Sequence, residues 1–360
     1  MHLKSLFVQG VRNLTTQTVE LEPGFNFIHG ANGAGKTAFL ESVAMLSRGR
    51  SFRAASSKSV ISHEQDSLIL RGNLSQMDQV LAMRRERTGA AQLKVNGQVS
   101  NRLSELATLL PTQVVLPHAA ELIYGSPAER RGYVDWGLFH VEQGFVELSR
   151  RYRTALLQRN AWLKAATQET AALALDPWFR QIVEYAGQIS AARADYIQRL
   201  RPYVDTSIES LFPGLDLRLS YAWGGLQSLE LAEKKLSESF DRDVKLGTTH
   251  RGPHRADLTL SSDDVAASEI FSRGQAKAAA TALLLAQAVL QQDSVGKRSV
   301  FLIDDFGAEL DAEHWARFSR ALADLQCQVI ATSTESPDTL VEKVDCAVFH
   351  VEHGQISRQQ

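Results

Sequence analysis

The chain has 360 residues, 44% of them hydrophobic, with 39 Lys and Arg against 41 Asp and Glu, and two cysteines, Cys327 and Cys346. That content suffices for one large core or two ordinary ones and excludes a disordered chain, while two isolated cysteines supply neither a disulfide framework nor paired metal-binding dyads. A formal charge of −2 excludes a general positive field, so contact with nucleic acid would need a local basic patch.

In chain order the pattern changes twice. From Leu3 to Val115 short strands dominate: Val19 and Leu21 alternate with charged residues, Phe25, Phe27 and Ile28 lead into a glycine-rich turn, and Leu93–Val99 reads as a hairpin around Asn96-Gly97. From about His118 to Asp243 helical spacing takes over. Phe145, Leu148, Tyr152, Leu156 and Leu163 share one face, and a second helix is expected from the capping pair Asp176-Pro177 through Ile182, Tyr185, Ile189, Ala192, Tyr196 and Leu200, interrupted at Pro202. From Leu246 strands return, and Val300–Ile303 and Val329–Ala331 are apolar throughout, as strands buried on both faces of a parallel sheet are. The longest apolar stretch, Ala278–Leu290, contains Thr281 and Gln287 and is too short to span a bilayer, and no leader-like segment opens the chain. A soluble, cytoplasmic protein without a membrane partner is expected. The division that follows is an α/β ATPase head made from residues 1–116 and 246–360, with a helical arm, 117–245, inserted between them.

The sharpest chemical signal is Gly30-Ala31-Asn32-Gly33-Ala34-Gly35-Lys36-Thr37, which fits G-x-x-x-x-G-K-[ST] and stands between an apolar strand and a helical stretch. Glycines at these places let backbone N–H groups turn toward phosphate oxygens, Lys36 reaches the outer phosphates, and the Thr37 hydroxyl can bind Mg2+. A nucleoside triphosphate site also needs a carboxylate for the metal, and Asp304 ends a buried strand where the crevice of such sheets opens. Asp305 follows as the candidate for orienting the attacking water. Asp305-Phe306-Gly307 also spells a kinase magnesium motif, but no catalytic-loop His-Arg-Asp precedes it at the required spacing; Glu342-Lys343-Val344-Asp345 fails as a guanine motif at its first position, so ATP is the expected nucleotide.

Phe271-Ser272-Arg273-Gly274-Gln275 opens an alanine-rich helix. By itself it is a good N-cap; in order with the motifs above it resembles the signature of ABC-type ATPases, and Ala308-Glu309-Leu310-Asp311 resembles their D-loop. Ser333 and Thr334, within Thr332-Ser333-Thr334, stand where that superfamily often carries a switch histidine. Within it the chain resembles the RecF family of bacterial recombinational-repair proteins over nearly its whole length. The resemblance rests on Val11-Arg12-Asn13, Gly49-Arg50-Ser51-Phe52-Arg53, Gly125-Ser126-Pro127 with Arg130-Arg131 and Asp135-Trp136, Gln158-Arg159-Asn160, and Gly252-Pro253-His254-Arg255-Ala256-Asp257-Leu258. Pro117-His118-Ala119-Ala120 departs from it, lacking the acid usual after the proline. The resemblance implies an ATP-bound homodimer in which Ser272, Arg273, Gly274 and Gln275 of one chain face the γ-phosphate held by the other, with Arg12 and Asn13 on the adenine side. It further implies double-stranded and gapped DNA as ligand, RecR and RecO as partners in loading RecA, and slow hydrolysis. Candidate DNA contacts are Arg84, Arg85 and Arg87, Arg130 and Arg131, and Arg150 and Arg151 with Arg153 and Arg159, although arginines that only solvate a surface are commoner than phosphate contacts. The other readings are an ATPase subunit of another ABC-type assembly, an SMC-like structural ATPase, which would need far more coiled coil, and a small-molecule kinase.

Overall fold

A helix that is apolar on almost every side must be covered on almost every side, and the stretch after the glycine-rich turn has that pattern. In the computed structural model, which describes residues 2–54, 56–75, 78–165, 176–222, 229–306, 312–336 and 346–359, this stretch is α1 (Lys36–Arg48). Its Phe39, Leu40, Val43, Ala44, Met45 and Leu46 are fully buried, because strands of two six-stranded sheets pack against it.

One of these sheets is antiparallel, in the order β2 (Gln17–Glu20), β1 (Leu3–Gln9), β4 (Ser67–Leu74), β5 (Val80–Glu86), β6 (Ala91–Val95) and β7 (Gln98–Ser100). Asn96 and Gly97 both take positive φ, at 50° and 80°, so the expected hairpin turn is present. The other sheet runs β15 (Gln355–Arg358), β14 (Cys346–Glu352), β3 (Phe25–His29), β13 (Val329–Ser333), β12 (Val300–Ile303) and β8 (Thr112–Val115), parallel except for β15 at its edge. The apolar runs at β12 and β13 are buried along their whole length, as their composition predicts. With α2 (Leu103–Leu109) and α11 (Ala312–Asp324), whose Trp315 and Phe318 meet the rings of Phe27 and Phe301, these sheets form the first of two compact units, residues 1–119, 210–212 and 291–360.

The second unit comprises residues 120–209 and 213–290. It holds α3 (Glu121–Tyr124), α4 (Pro127–Val141), α5 (Phe145–Ala165), most of α6 (Phe179–Leu211), α7 (Leu229–Glu238), α8 (Phe240–Leu246), α9 (Ala267–Ile270), most of α10 (Arg273–Val295), and a separate three-stranded sheet. That sheet explains why the expected break at 245 is misplaced. The first strands after Leu246 do not rejoin the head: β10 (Asp257–Ser262) pairs antiparallel with β9 (Arg218–Ala222) and with β11 (Val265–Ala266). Residues 246–290, signature segment included, therefore belong with the helices.

Pro202 does not end its helix. α6 continues to Leu211, because Leu200, Val204, Ile208 and Leu211 keep one buried face running through the proline, and packing of that face outweighs the roughly 3 kcal/mol of an interior proline. On α5 the apolar stripe is broken by Arg159, which is fully buried: its Nε donates to Asp176 at 2.7 Å, and its Nη1 to Asp243 and the Thr249 hydroxyl, each at 2.8 Å. Asn160 accepts from the Thr249 amide and hydroxyl, and Asp243 from the His250 amide, closing the network. Trp136 and Trp162 pack among Phe139, His140 and Phe240 in the helical unit.

Candidate functional site

The parallel sheet delivers four loops to the carboxyl ends of its strands, where crevices open in such sheets: residues 30–35 after β3, Leu116–His118 after β8, Asp304-Asp305 after β12, and Thr334 after β13. They enclose a cleft of about 480 Å³ that is also lined by Arg12, Asn13, Phe52 and Arg53. The phosphate-loop glycines are not replaceable turn-formers. Gly30 has φ 152°, and a Cβ there would lie 2.4 Å from the Val351 carbonyl oxygen; Gly35 has φ 125° immediately before α1. Lys36 donates from Nζ to the carbonyls of Gly30 at 2.6 Å and Ala31 at 3.0 Å. Burial lowers its pKa, opposed by the nearby carboxylates of Asp305 and Asp304.

Asp304 lies between two hydroxyls. The Thr37 hydroxyl donates to its Oδ1 at 2.9 Å, and the Thr332 hydroxyl donates to the same oxygen at 2.8 Å. Oxygens bound at about 2.1 Å on adjacent corners of an octahedron lie about 3 Å apart, so the spacing of this hard-oxygen pair fits a magnesium ion. Asp305 diverges from Asp304 because its φ is +55°, a region that Asp tolerates better than most residues, and its N–H donates to Thr332 Oγ1 at 3.0 Å. Thr332, which precedes the two residues read as the switch position, thus fixes both aspartates, while Thr334 lines the cleft and Ser333 Oγ accepts from the Glu335 amide. Asp311 and the D-loop lie outside the described residues.

Arg12 and Asn13 line the same cleft, held in place from behind. The Asn13 side-chain Nδ2 donates to the Gly33 carbonyl at 2.8 Å, and the Arg12 guanidinium forms a two-pronged bond with Glu41, which also accepts from Ser51 Oγ. The sequence reading missed Glu41. Its signal in the sequence is a lone acid within residues 38–47, a run otherwise made of apolar and small hydroxyl residues.

In the second unit, the signature segment is a reciprocal capping box. The Ser272 N–H donates to Gln275 Oε1 at 2.9 Å, and the Gln275 N–H donates to Ser272 Oγ at 3.2 Å. Ser272, Arg273, Gly274 and Gln275 are all exposed at the start of α10, and a Cβ at Gly274 would meet nothing closer than Ser272 Oγ at 3.9 Å.

Most of the arginines proposed to touch DNA are occupied internally. Arg130 is largely buried; it forms a two-pronged pair with Asp257 at 2.8 and 2.9 Å and donates to the Gly125 carbonyl. Arg131 donates to the Ala256 carbonyl, Arg85 to that of Gly49, Arg87 to that of Gln65, and Arg159 is the buried network centre described above. Arg84, Arg150 and Arg151 are exposed, the last two sharing Glu147, whose carboxyl their hydrogen bonds hold down at about 2. Arginine spacing cannot reveal an acid or carbonyl supplied from elsewhere in the chain.

His254 is likewise internal. Its Nε2–H donates to the Thr249 carbonyl at 3.0 Å, which leaves Nδ1 to accept from the Tyr152 hydroxyl at 2.6 Å. Burial pushes this imidazole below its ordinary value of 6.5, partly offset by the Thr249 bond. The unfolded chain then takes up a proton below 6.5 that the folded chain resists, so the stability His254 contributes above 6.5 is lost as pH falls toward its folded pKa. Thermal unfolding followed at pH 7.5, 6.5 and 5.5 is expected to shift downward, with a shallower slope in His254→Gln.

A protein-family model, RecF/RecN/SMC N terminal domain, matches residues 2–357. A DNA replication and repair protein RecF from Stutzerimonas stutzeri is 37% identical over 99% of this chain and 98% of its own, and one from Vibrio atlanticus is 35% identical over 99% and 100%. Among solved structures, the recombination mediator protein RecF with ATP, in the RecFOR pathway, superposes with a TM-score of 0.87 at 26% identity over 99% of this chain and 97% of its own. An Smc head bound to the C-terminal winged-helix domain of ScpA shares the fold, at a TM-score of 0.60 and 17% identity over 100% of this chain and 98% of its own.

Proposed function

The chain belongs to the RecF family, and from that premise we propose that it is an ATP-dependent DNA-binding protein of replication and recombinational repair, closed around DNA by an ATP-bridged homodimer. The observation that carries the dimer is the exposed turn Ser272–Gln275. A helix N-terminus presents N–H groups without partners in the helix and attracts phosphate, and here it is open to solvent, with room around Gly274. In this reading one chain holds ATP with residues 30–37 and the second contributes Ser272, Gly274 and Gln275 to the γ-phosphate.

Lys36 binds the outer phosphates, and Thr37 with Asp304 would hold magnesium, which supplies neutralisation of phosphate charge. Asp305 orients the attacking water and accepts its proton. Its side chain is one carbon shorter than a glutamate's, and slow hydrolysis follows. Double-stranded DNA beside a single-stranded gap is the proposed ligand, with RecR and RecO as partners, a reading supported by the names of the relatives and of the ATP-bound RecFOR-pathway structure.

Solution mass with ATP, with ADP, and with ATP for Ser272→Arg tests this. A dimer is expected only for the unmutated protein with ATP, at a concentration where Ser272→Arg still binds ATP as a monomer. A monomer under all three conditions removes the bridged dimer.

A further inference from the structure

The signature turn is held from a direction that the capping box does not supply. Apart from the ladder of α10 itself, Phe271 N–H donates to the Ala267 carbonyl at 3.0 Å, and Ala276 N–H to the Ser272 carbonyl at 2.9 Å. The carbonyl of Phe271, the residue immediately before Ser272, instead accepts from the Tyr124 hydroxyl at 2.5 Å. Tyr124 is the last residue of α3, and α3 is itself fixed. Arg130 donates to the carbonyls of Ile123 at 3.3 Å and Gly125 at 2.8 Å while gripping Asp257 on β10 with its other two nitrogens. β10 packs on α9, which runs directly into Phe271. The contacts close a ring from α3 through Arg130, β10 and α9 to Phe271 and back to Tyr124.

We propose that Tyr124 is a positioning residue for the signature turn: its hydroxyl, backed by Arg130, sets where Ser272 and the first amides of α10 stand for a phosphate held by another copy of the chain. The inference rests on the bridged-dimer reading above. A capping box fixes Ser272 relative to its own helix, and the bond to Phe271 O ties the residue before it to α3, a second constraint on the angle at which the turn is offered. Its loss leaves that carbonyl without its partner and the turn free to tilt, while residues 30–37 are untouched.

The test compares Tyr124→Phe with Tyr133→Phe, which removes an equivalent hydroxyl-to-carbonyl bond, Tyr133 to Leu283 at 2.6 Å, farther along α10. ATP affinity is measured on dilute monomer with a fluorescent ATP analogue, and dimer dissociation by sedimentation in ATP and magnesium, with Ser272→Arg alongside. Loss of one such bond is worth about three- to tenfold in an equilibrium. Tyr124→Phe is expected to weaken the dimer by that factor with monomer ATP affinity unchanged, and Tyr133→Phe to leave the dimer within about twofold. Equal weakening by both variants reduces Tyr124 to a general structural role and overturns the proposal. No weakening by Tyr124→Phe while Ser272→Arg abolishes the dimer overturns it and leaves the bridged dimer standing. Ser272→Arg without effect removes the bridged dimer and the positioning role together.

Discussion

Lys36→Met is expected to lower ATP affinity by about a hundredfold or more, since charge-assisted hydrogen bonds to phosphate are worth about 1.5–3 kcal/mol each and one ammonium makes more than one. The fold should survive. The Lys36 ammonium lies in the cleft, bonded to the Gly30 and Ala31 carbonyls, and its hydrogen bonds hold no other element of the unit. The apolar contacts that bury α1 come instead from Phe39, Leu40, Val43, Met45 and Leu46. Methionine keeps a stem of the same length and removes the ammonium with its charge and donors. Calorimetric titration with ATP and magnesium should therefore lose its signal while the melting temperature stays within a few degrees. Retention of wild-type affinity would show that the phosphates bind elsewhere. Thr37→Ala should separate the metal from the phosphates: it removes a donor to Asp304, so its defect should shrink when magnesium is raised, and that of Lys36→Met should not.

This site was legible in sequence because each part of it is local. A glycine loop between strand and helix and two acids ending an apolar strand are each written within a few consecutive residues, and the parallel sheet brings the strand ends together without further information. What escaped is what depends on distant partners. Arg130 resembles a surface cation until Asp257 is placed against it, and Arg159 until Asp176 and Asp243 close on it. Tyr124 carries no mark of the carbonyl its hydroxyl meets, 147 residues away. Pro202 is a helix stop by every local rule and is overridden only by the buried face that continues past it. The boundary near 245 failed for the same reason: periodicity reports that strands return, and pairing decides which sheet they join.

The largest effect on stability is expected at Arg159. Two carboxylates, Asp176 and Asp243, are fully buried with it, and no part of the guanidinium reaches solvent. Arg159→Met would leave both acids buried without their cation. Breaking a buried pair in this way costs about 3–5 kcal/mol, a large share of the 5–15 kcal/mol that holds a typical protein folded. The expectation is a protein that is insoluble or melts well below the unmutated chain. Asp176 also accepts from the Trp178 amide ahead of α6, and Asp243 from the His250 amide after α8, so the damage should spread along both helices. Removing the charges together gives the discriminating case. With Arg159→Met, Asp176→Asn and Asp243→Asn combined, uncharged amides keep a carbonyl oxygen for each of those backbone N–H groups and no uncompensated charge remains, so the triple variant should be more stable than Arg159→Met alone despite carrying more changes. Urea unfolding of the two variants side by side measures the difference. If the triple variant proves the less stable, the network contributes through shape and hydrogen bonding, and the attraction between its charges is not what holds this part of the second unit together.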